Sequence, residues 1–131
     1  MLDGNYEHDL NMRQTQLRTL IVSGAALLAI AGSPLKAAVP LPSQREIQVL
    51  EQEISMPAGA RPLSSYNRYY SAVLRDGRRV ILGIYFGNGG KTTVAESGDL
   101  PVVMDGGCGV VNVIYDVESH KFIDVFCNGV A

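Results

Sequence analysis

The sequence predicts an α+β fold in which one N-terminal helix packs on an antiparallel β-meander of about five strands, with one disulfide bond. Three observations predict this fold. A helix-capping pattern precedes apolar residues at helical spacing, the hydrophobic period then changes to two after Pro62, and the chain has two cysteines, Cys108 and Cys127.

Residues 1–37 are predicted to be a secretory signal peptide. An uncharged apolar run, Leu20 to Ala31, is followed by small residues at Ala37 and Ala38. The run of about 12 residues is too short to cross a bilayer core, which needs roughly 20 helical residues. Ala29 and Ala31 form an A-x-A pattern that would allow a cut after Ala31, but we favour cleavage after Ala37 or Ala38. We expect no stable membrane anchor after cleavage, and a periplasmic or secreted protein.

The charge pattern favours Met12 as the translation start. The residues before it include three acidic ones, which is atypical of the positively charged region that begins a signal peptide. A start at Met12 instead puts Arg13 and Arg18 directly before the apolar run.

The charge balance limits the classes of partner. The formal net charge is -2, and so small a charge is not typical of proteins that bind nucleic acid or anionic membranes. We expect an unknown protein or a small anionic ligand as partner, and no nucleic acid. No histidine and cysteine spacing typical of a metal site occurs, so we expect neither a metal nor a cofactor.

Residues 38–43 are predicted to form an extended linker, since Pro40 and Pro42 each restrict the residue before them. Residues 44–131 then form one small domain. At its start Ser43 and Glu46 have the spacing of a capping box. An amphipathic helix is therefore predicted from Gln44 to Ser55, with these apolar residues on one face: Ile47, Leu50 and Ile54.

The clearest prediction is a β-hairpin centred on Asp76-Gly77, between strands 69–74 and 79–86. A type I′ turn needs positive φ at both central residues, which this dipeptide tolerates. The turn predicts these cross-strand pairs: Val73 with Val80, Ser71 with Leu82, Tyr69 with Ile84, and Tyr70 with Gly83. The second strand is apolar with little alternation, which predicts an interior position in the sheet.

Further strands are predicted at 91–95 and 102–104, the latter at an edge because Pro101 precedes it. A last hairpin joins 108–116 to 121–127. If Asp116 and Ser119 close its turn, the strands pair as follows: Tyr115 with His120, Val113 with Phe122, and Cys108 with Cys127. A shift of one residue would place the cysteines on opposite faces.

The two cysteines have two interpretations. Export favours a Cys108–Cys127 disulfide, because exported proteins meet an oxidising environment. The alternative is a Cys108 nucleophile with His120 as its base, which would make the protein a small hydrolase or transferase. Asp105, Asp116 or Asp124 could also supply acid–base chemistry, although aspartates at turns usually cap or are solvated.

Gly89-Gly90-Lys91-Thr92 resembles the end of a phosphate-binding loop. The P-loop pattern also needs a glycine where this chain has Tyr85, and a helix afterwards. We therefore expect an ordinary turn.

A group of arginines and tyrosines near the first hairpin is the candidate binding surface, because these residue types are frequent in interface hot spots. Its members are Tyr66, Arg68, Tyr70, Arg75, Arg78 and Arg79. The alternative interpretation is a solvated turn. The sequence thus favours a non-enzymatic binding, inhibitor or accessory module of the cell envelope.

Overall fold

The computed structural model describes residues 32–33 and 38–130, and the fold belongs to the unit Ala37–Ala131. It has one α-helix, α1 (Gln44–Glu53), and one five-stranded sheet. The strands are β1 (Asn67–Arg75), β2 (Arg78–Phe86), β3 (Thr92–Val94), β4 (Val110–Asp116) and β5 (Lys121–Cys127). The predicted α+β class is confirmed. The predicted signal peptide, apart from Gly32 and Ser33, lies outside the described residues.

The capping box at the start of α1 is confirmed. The backbone N–H of Glu46 donates to Ser43 Oγ at 3.2 Å, and the backbone N–H of Ser43 donates to Glu46 Oε2 at 2.8 Å. The helix ends at Glu53, before the predicted Ser55, because Ile54 is already extended at φ -65° and ψ 133°. Although α1 precedes the strands, it lies well inside the chain and is not an N-terminal element.

Glu46 also forms an ion pair with Arg79, at 2.5 Å between Oε1 and the guanidinium. The hydrogen bond from Arg79 is the main reason that the pKa of Glu46 falls from 4.5 to about 2. A carboxyl whose folded pKa is lowered stabilises the fold above its unfolded pKa. This stabilisation is therefore complete above about pH 4.5 and is lost as the pH falls toward 2.

We expect Glu46→Gln to weaken the acid sensitivity of folding between those two pH values, because the amide carries no charge to titrate. The free energy of unfolding should be measured by urea denaturation from neutral to strongly acidic pH. Glu96→Gln, at an exposed carboxyl outside the helix with no hydrogen bond to the described residues, is the control. An unchanged acid dependence in Glu46→Gln would contradict the prediction.

The first hairpin is confirmed pair by pair. Val73 lies opposite Val80 and Tyr70 opposite Gly83, as predicted. The turn has φ 51° at Asp76 and φ 74° at the following glycine, as a type I′ turn requires. The strand order β3-β1-β2-β4-β5 places β2 in the middle of the sheet.

The predicted antiparallel meander is wrong for β3, which pairs parallel to β1. Since β2 already has β1 and β4 as neighbours, the chain after β2 passes to the free edge of β1. Two backbone hydrogen bonds mark the ends of this pairing, Arg68 N–H to Lys91 O at 2.7 Å and Ala95 N–H to Tyr70 O at 3.0 Å. The sheet is therefore mixed.

The predicted edge strand 102–104 is also wrong, because these residues form no β-ladder. They belong to the long connection from β3 to β4. Asn128 Nδ2 donates to Val103 O at 2.6 Å and to Asp105 O at 3.1 Å. The Asn128 side chain thus binds carbonyl groups that, in a strand, would accept hydrogen bonds from the backbone of a neighbouring strand.

The last hairpin forms with a different register from the prediction. Tyr115 pairs with Phe122, not His120, and Val111 pairs with Cys127. The turn spans four residues, because the Asp116 carboxylate accepts hydrogen bonds from the backbone N–H groups of both Glu118 and Ser119. A β-bulge beside Tyr115 then shifts the pairing further along β5.

The core lies between α1 and one face of the sheet, and four of its largest side chains are tyrosines. These fully or almost fully buried tyrosines are Tyr66, Tyr70, Tyr85 and Tyr115. A Cβ on Gly83 would lie 3.2 Å from ring atoms of both Tyr70 and Tyr85. The Tyr70 ring thus packs against Gly83, its predicted cross-strand partner.

Candidate functional site

The tip of the first hairpin holds two of the predicted surface residues. Arg75 and Arg78 face each other across the strands and lie on the side of the sheet opposite α1. Arg75 is exposed and forms no ion pair with any residue that the structure describes. The Arg78 side chain is 50% exposed and lies 2.7 Å from Asp116 Oδ2. Glu118 Oε2 lies 3.9 Å from Arg78 Nε. Among the described residues, the tip therefore carries one cation with carboxylate partners and one without.

Asp116 positions Arg78. Its carboxylate also accepts the backbone N–H groups that close the last turn, at 2.9 and 3.1 Å. The hydrogen bond from Ser119, followed by the attraction of Arg78, lowers the pKa of Asp116. The carboxylate is thus ionised at neutral pH and holds Arg78 beside the tip.

Arg79, next along the chain, points to the opposite side and has a structural role. Its guanidinium donates to Pro40 O and Leu41 O at 3.0 and 3.1 Å, besides the ion pair with Glu46. Only 19% of this side chain is exposed. Arg79 therefore fastens residues 40–41 and α1 to the sheet and is not available to a partner.

Arg68, Tyr66 and Tyr70 also lie on the α1 side. Arg68 Nε is 2.8 Å from Glu51 Oε1, and its side chain is 11% exposed. Tyr66 and Tyr70 are completely buried. The six predicted surface residues therefore do not form one patch, since only Arg75 and Arg78 stand together in solvent.

The sequence did not predict a buried polar network. Tyr85 donates its hydroxyl proton to the Tyr70 oxygen at 2.9 Å, and Tyr70 donates to Glu51 Oε1 at 2.8 Å. Burial raises the pKa of both tyrosines, so their hydroxyls stay neutral. No local pattern could have revealed this network, because its three members come from α1, β1 and β2.

Arg61 and Tyr66 form a second contact set that the sequence did not predict. The Arg61 guanidinium carbon lies 4.3 Å from the centre of the Tyr66 ring, within cation–π range. The Tyr66 hydroxyl donates to Cys108 O at 2.6 Å. Arg61 also donates to Gly87 O at 2.7 Å and to Asn88 Oδ1. This set ties three loops together at the end of the sheet away from the hairpin tip.

Cys108 and Cys127 form the predicted disulfide, with sulfurs 2.11 Å apart and Cα atoms 4.6 Å apart. Cys108 lies in a short 3-10 turn, Gly107–Gly109, before β4 and not in the strand. His120 lies just before β5, whereas Cys127 ends it, so the structure does not bring His120 to the cysteines. The His120 Nδ1 atom instead faces the Tyr115 hydroxyl at 3.2 Å.

The three aspartates considered for catalysis are also separated. Asp105 precedes β4, Asp116 ends it, and Asp124 lies exposed in the middle of β5. Asp105 lies before the first residue of this seven-residue strand and Asp116 is its last residue, so the two carboxyls are at opposite ends. The structure does not place them as an acid–base pair.

The glycine-rich turn after β2 is held by a side chain. Asn67 Oδ1 accepts the backbone N–H of Lys91 at 3.1 Å, and Asn67 Nδ2 donates to Asn88 O at 3.0 Å. Gly90 has φ 69°, and a Cβ there would lie 2.7 Å from Ser64 O. The glycine therefore serves a close backbone approach and a left-handed conformation.

The fold defines a small disulfide-bonded α+β domain. No protein-family model matches the chain, and no curated protein or solved structure shows significant similarity to it. Among the described residues, no group of three or more His, Cys, Asp or Glu side chains could hold a metal ion. None of the helices in that part of the chain is long and apolar enough to cross a membrane.

Proposed function

We propose that this protein is an exported, non-enzymatic binding module of the cell envelope, acting as an inhibitor or accessory subunit, and that its hairpin tip contacts an anionic partner. The observation that carries the proposal is the exposed Arg75, which lies directly across from Arg78 and has no ion-pair partner in the part of the chain that the structure describes. Like charges facing each other destabilise a strand pair. A carboxylate or phosphate bound between them would relieve that repulsion.

The surroundings of the tip support binding. Arginine is suited to such a site, because its planar guanidinium binds carboxylate and phosphate groups through two parallel hydrogen bonds. The type I′ turn and the long strands below it already hold the tip in place, so binding would cost little conformational entropy.

We expect Arg75→Ser combined with Arg78→Ser to weaken binding to the partner and to flatten its salt dependence, because the attraction is between exposed charges. The fold should remain intact, since Arg78 is half exposed and the stability lost is that of its partly exposed ion pair with Asp116. The partner should first be captured from envelope extract with the wild-type protein. Its affinity for purified wild-type and variant proteins is then measured across a salt series.

The matched control removes two exposed cations elsewhere, Arg45→Ser with Lys91→Ser. The net charge changes equally in both double variants, so only a contact at the tip distinguishes them. Equal losses of affinity would indicate general charge attraction. Unchanged affinity in the tip variant would return Arg75 and Arg78 to the solvated-turn interpretation.

Export makes a separate prediction about the mature protein. Mass spectrometry of the exported form should find its N terminus between Gly32 and Pro40, since signal peptidases cut after small residues that follow an apolar run. Placing an arginine in that run, Leu27→Arg, should block processing. An intact N terminus on a protein that stays in the cytoplasm would contradict export.

A further inference from the structure

We propose that Asn88 is a site of spontaneous deamidation, which turns a neutral amide beside Arg61 into a carboxylate. The chain contains two Asn-Gly dipeptides, Asn88-Gly89 and Asn128-Gly129. Glycine has no Cβ to hinder attack by its backbone nitrogen on the preceding side chain. The structure places the two asparagines in opposite environments, and only one of them is free to react.

The reaction needs no reagent except water. The Gly89 nitrogen bonds to Asn88 Cγ, the Cγ–Nδ2 bond breaks, and ammonia leaves with the Gly89 proton, which closes a five-membered succinimide. Water then opens the ring at either carbonyl, so the product is aspartate or isoaspartate. Holding nucleophile and carbonyl in one residue pair makes the first step intramolecular.

The surroundings of Asn88 favour this step. The residue is exposed, and its Nδ2 group makes no hydrogen bond with the described residues. The Arg61 guanidinium donates to Asn88 Oδ1, the oxygen on which negative charge develops during the attack. A donor aimed at developing charge stabilises the transition state. The Gly89 N–H likewise donates to none of the residues that the structure describes.

Asn128 is held in place on every side. Its Nδ2 group donates to Val103 O and Asp105 O at 2.6 and 3.1 Å, and its Oδ1 accepts from Asn112 Nδ2 at 2.5 Å. These three hydrogen bonds must open before Cγ can reach the Gly129 nitrogen. We therefore expect Asn128 to convert at least about tenfold more slowly than Asn88 in the folded protein.

Conversion would change the charge of the sheet end where Asn88 lies. The new carboxylate would face the Arg61 guanidinium, which already contacts the amide oxygen. Arg61, which forms no ion pair with the described residues, would thereby gain a carboxylate partner. The isoaspartate product also lengthens the backbone at the turn that Asn67 holds.

The test is to age the disulfide-bonded protein in mildly alkaline buffer and to follow both dipeptides by peptide mapping, using the mass change from amide to acid and the separation of isoaspartyl peptides. We expect conversion at Asn88 while Asn128 remains an amide. In denaturant, with the disulfide reduced, both should convert at similar rates because each precedes a glycine. Asn88→Gln should abolish the product at this turn, since glutamine would have to close a larger ring.

Two results would overturn the proposal. One is conversion of Asn128 in the folded protein at a rate equal to or above that of Asn88. The other is an Asn88 that reacts in denaturant but stays unmodified in the folded protein under the same buffer. The first result would show that the hydrogen bonds of Asn128 do not protect it. The second would show that the turn protects Asn88 and that Arg61 does not assist its reaction.

Discussion

Replacing Cys108 and Cys127 together by alanine is expected to lower the free energy of unfolding by about 2–5 kcal/mol. The disulfide closes a loop containing all of β4 and the last turn, which restricts the unfolded chain. In the folded protein it also fixes the turn whose Cys108 carbonyl accepts the Tyr66 hydroxyl. Urea denaturation of the oxidised wild type and the double variant measures the difference.

Reduction of the wild type provides the matched control. If the covalent link itself stabilises the fold, reduced wild type and the double alanine variant should unfold at similar urea concentrations. Non-reducing peptide mapping of protein isolated after export should recover Cys108 linked to Cys127. Two free thiols in that sample, or a double variant as stable as the oxidised wild type, would contradict the prediction.

Tyr70→Ala is expected to cost about 3–5 kcal/mol of stability, the usual range when a large aromatic side chain is removed from a core. The Tyr70 ring packs edge-on against Tyr85, with centroids 5.7 Å apart, and covers Gly83. Tyr70→Phe keeps the ring and removes only the hydroxyl. It should cost about 1–3 kcal/mol, because Tyr85 loses its acceptor and the Glu51 carboxylate loses a donor.

Tyr69→Phe is the control for the hydroxyl effect. Tyr69 lies on the other face of β1, where its ring stacks on Phe86 at 5.1 Å, and its hydroxyl bonds to none of the described residues. Loss of the Tyr69 hydroxyl should change the free energy of unfolding by less than about 0.5 kcal/mol. Equal urea midpoints for Tyr70→Phe and Tyr69→Phe would show that the buried hydroxyl network does not stabilise the fold.

Elements coded by neighbouring residues could be predicted from the sequence. The capping box of Ser43 and Glu46 set the start of α1, and Asp76-Gly77 set every pair of the first hairpin. Turn chemistry determines register because two strands joined by two residues can pair in only a few ways. The β4–β5 hairpin lacks such a turn, and there the predicted register was wrong.

The candidate site was only partly predictable, because exposure depends on distant partners. Arg75 and Arg79 look alike in the sequence, yet one is exposed and the other is bound to Glu46 and Pro40. Tyr69 and Tyr70 are neighbours on opposite faces of β1, and only Tyr70 is completely buried. The type of a residue does not predict which charged groups or surfaces lie next to it in the folded protein.

The sequence by itself determined the α+β class, the helix start and the first hairpin, since these depend on hydrophobic periodicity, capping and turn geometry. It also left only one possible intramolecular disulfide, because the chain has two cysteines. Only the tertiary structure decided that β3 joins β1 in parallel, that a bulge shifts β5, and that residues 102–104 form no strand. These features arise from competition among distant segments for the same strand edges and hydrogen-bonding groups. The packing of the whole domain determines which segment pairs with which edge. Local sequence patterns contain no information about that packing.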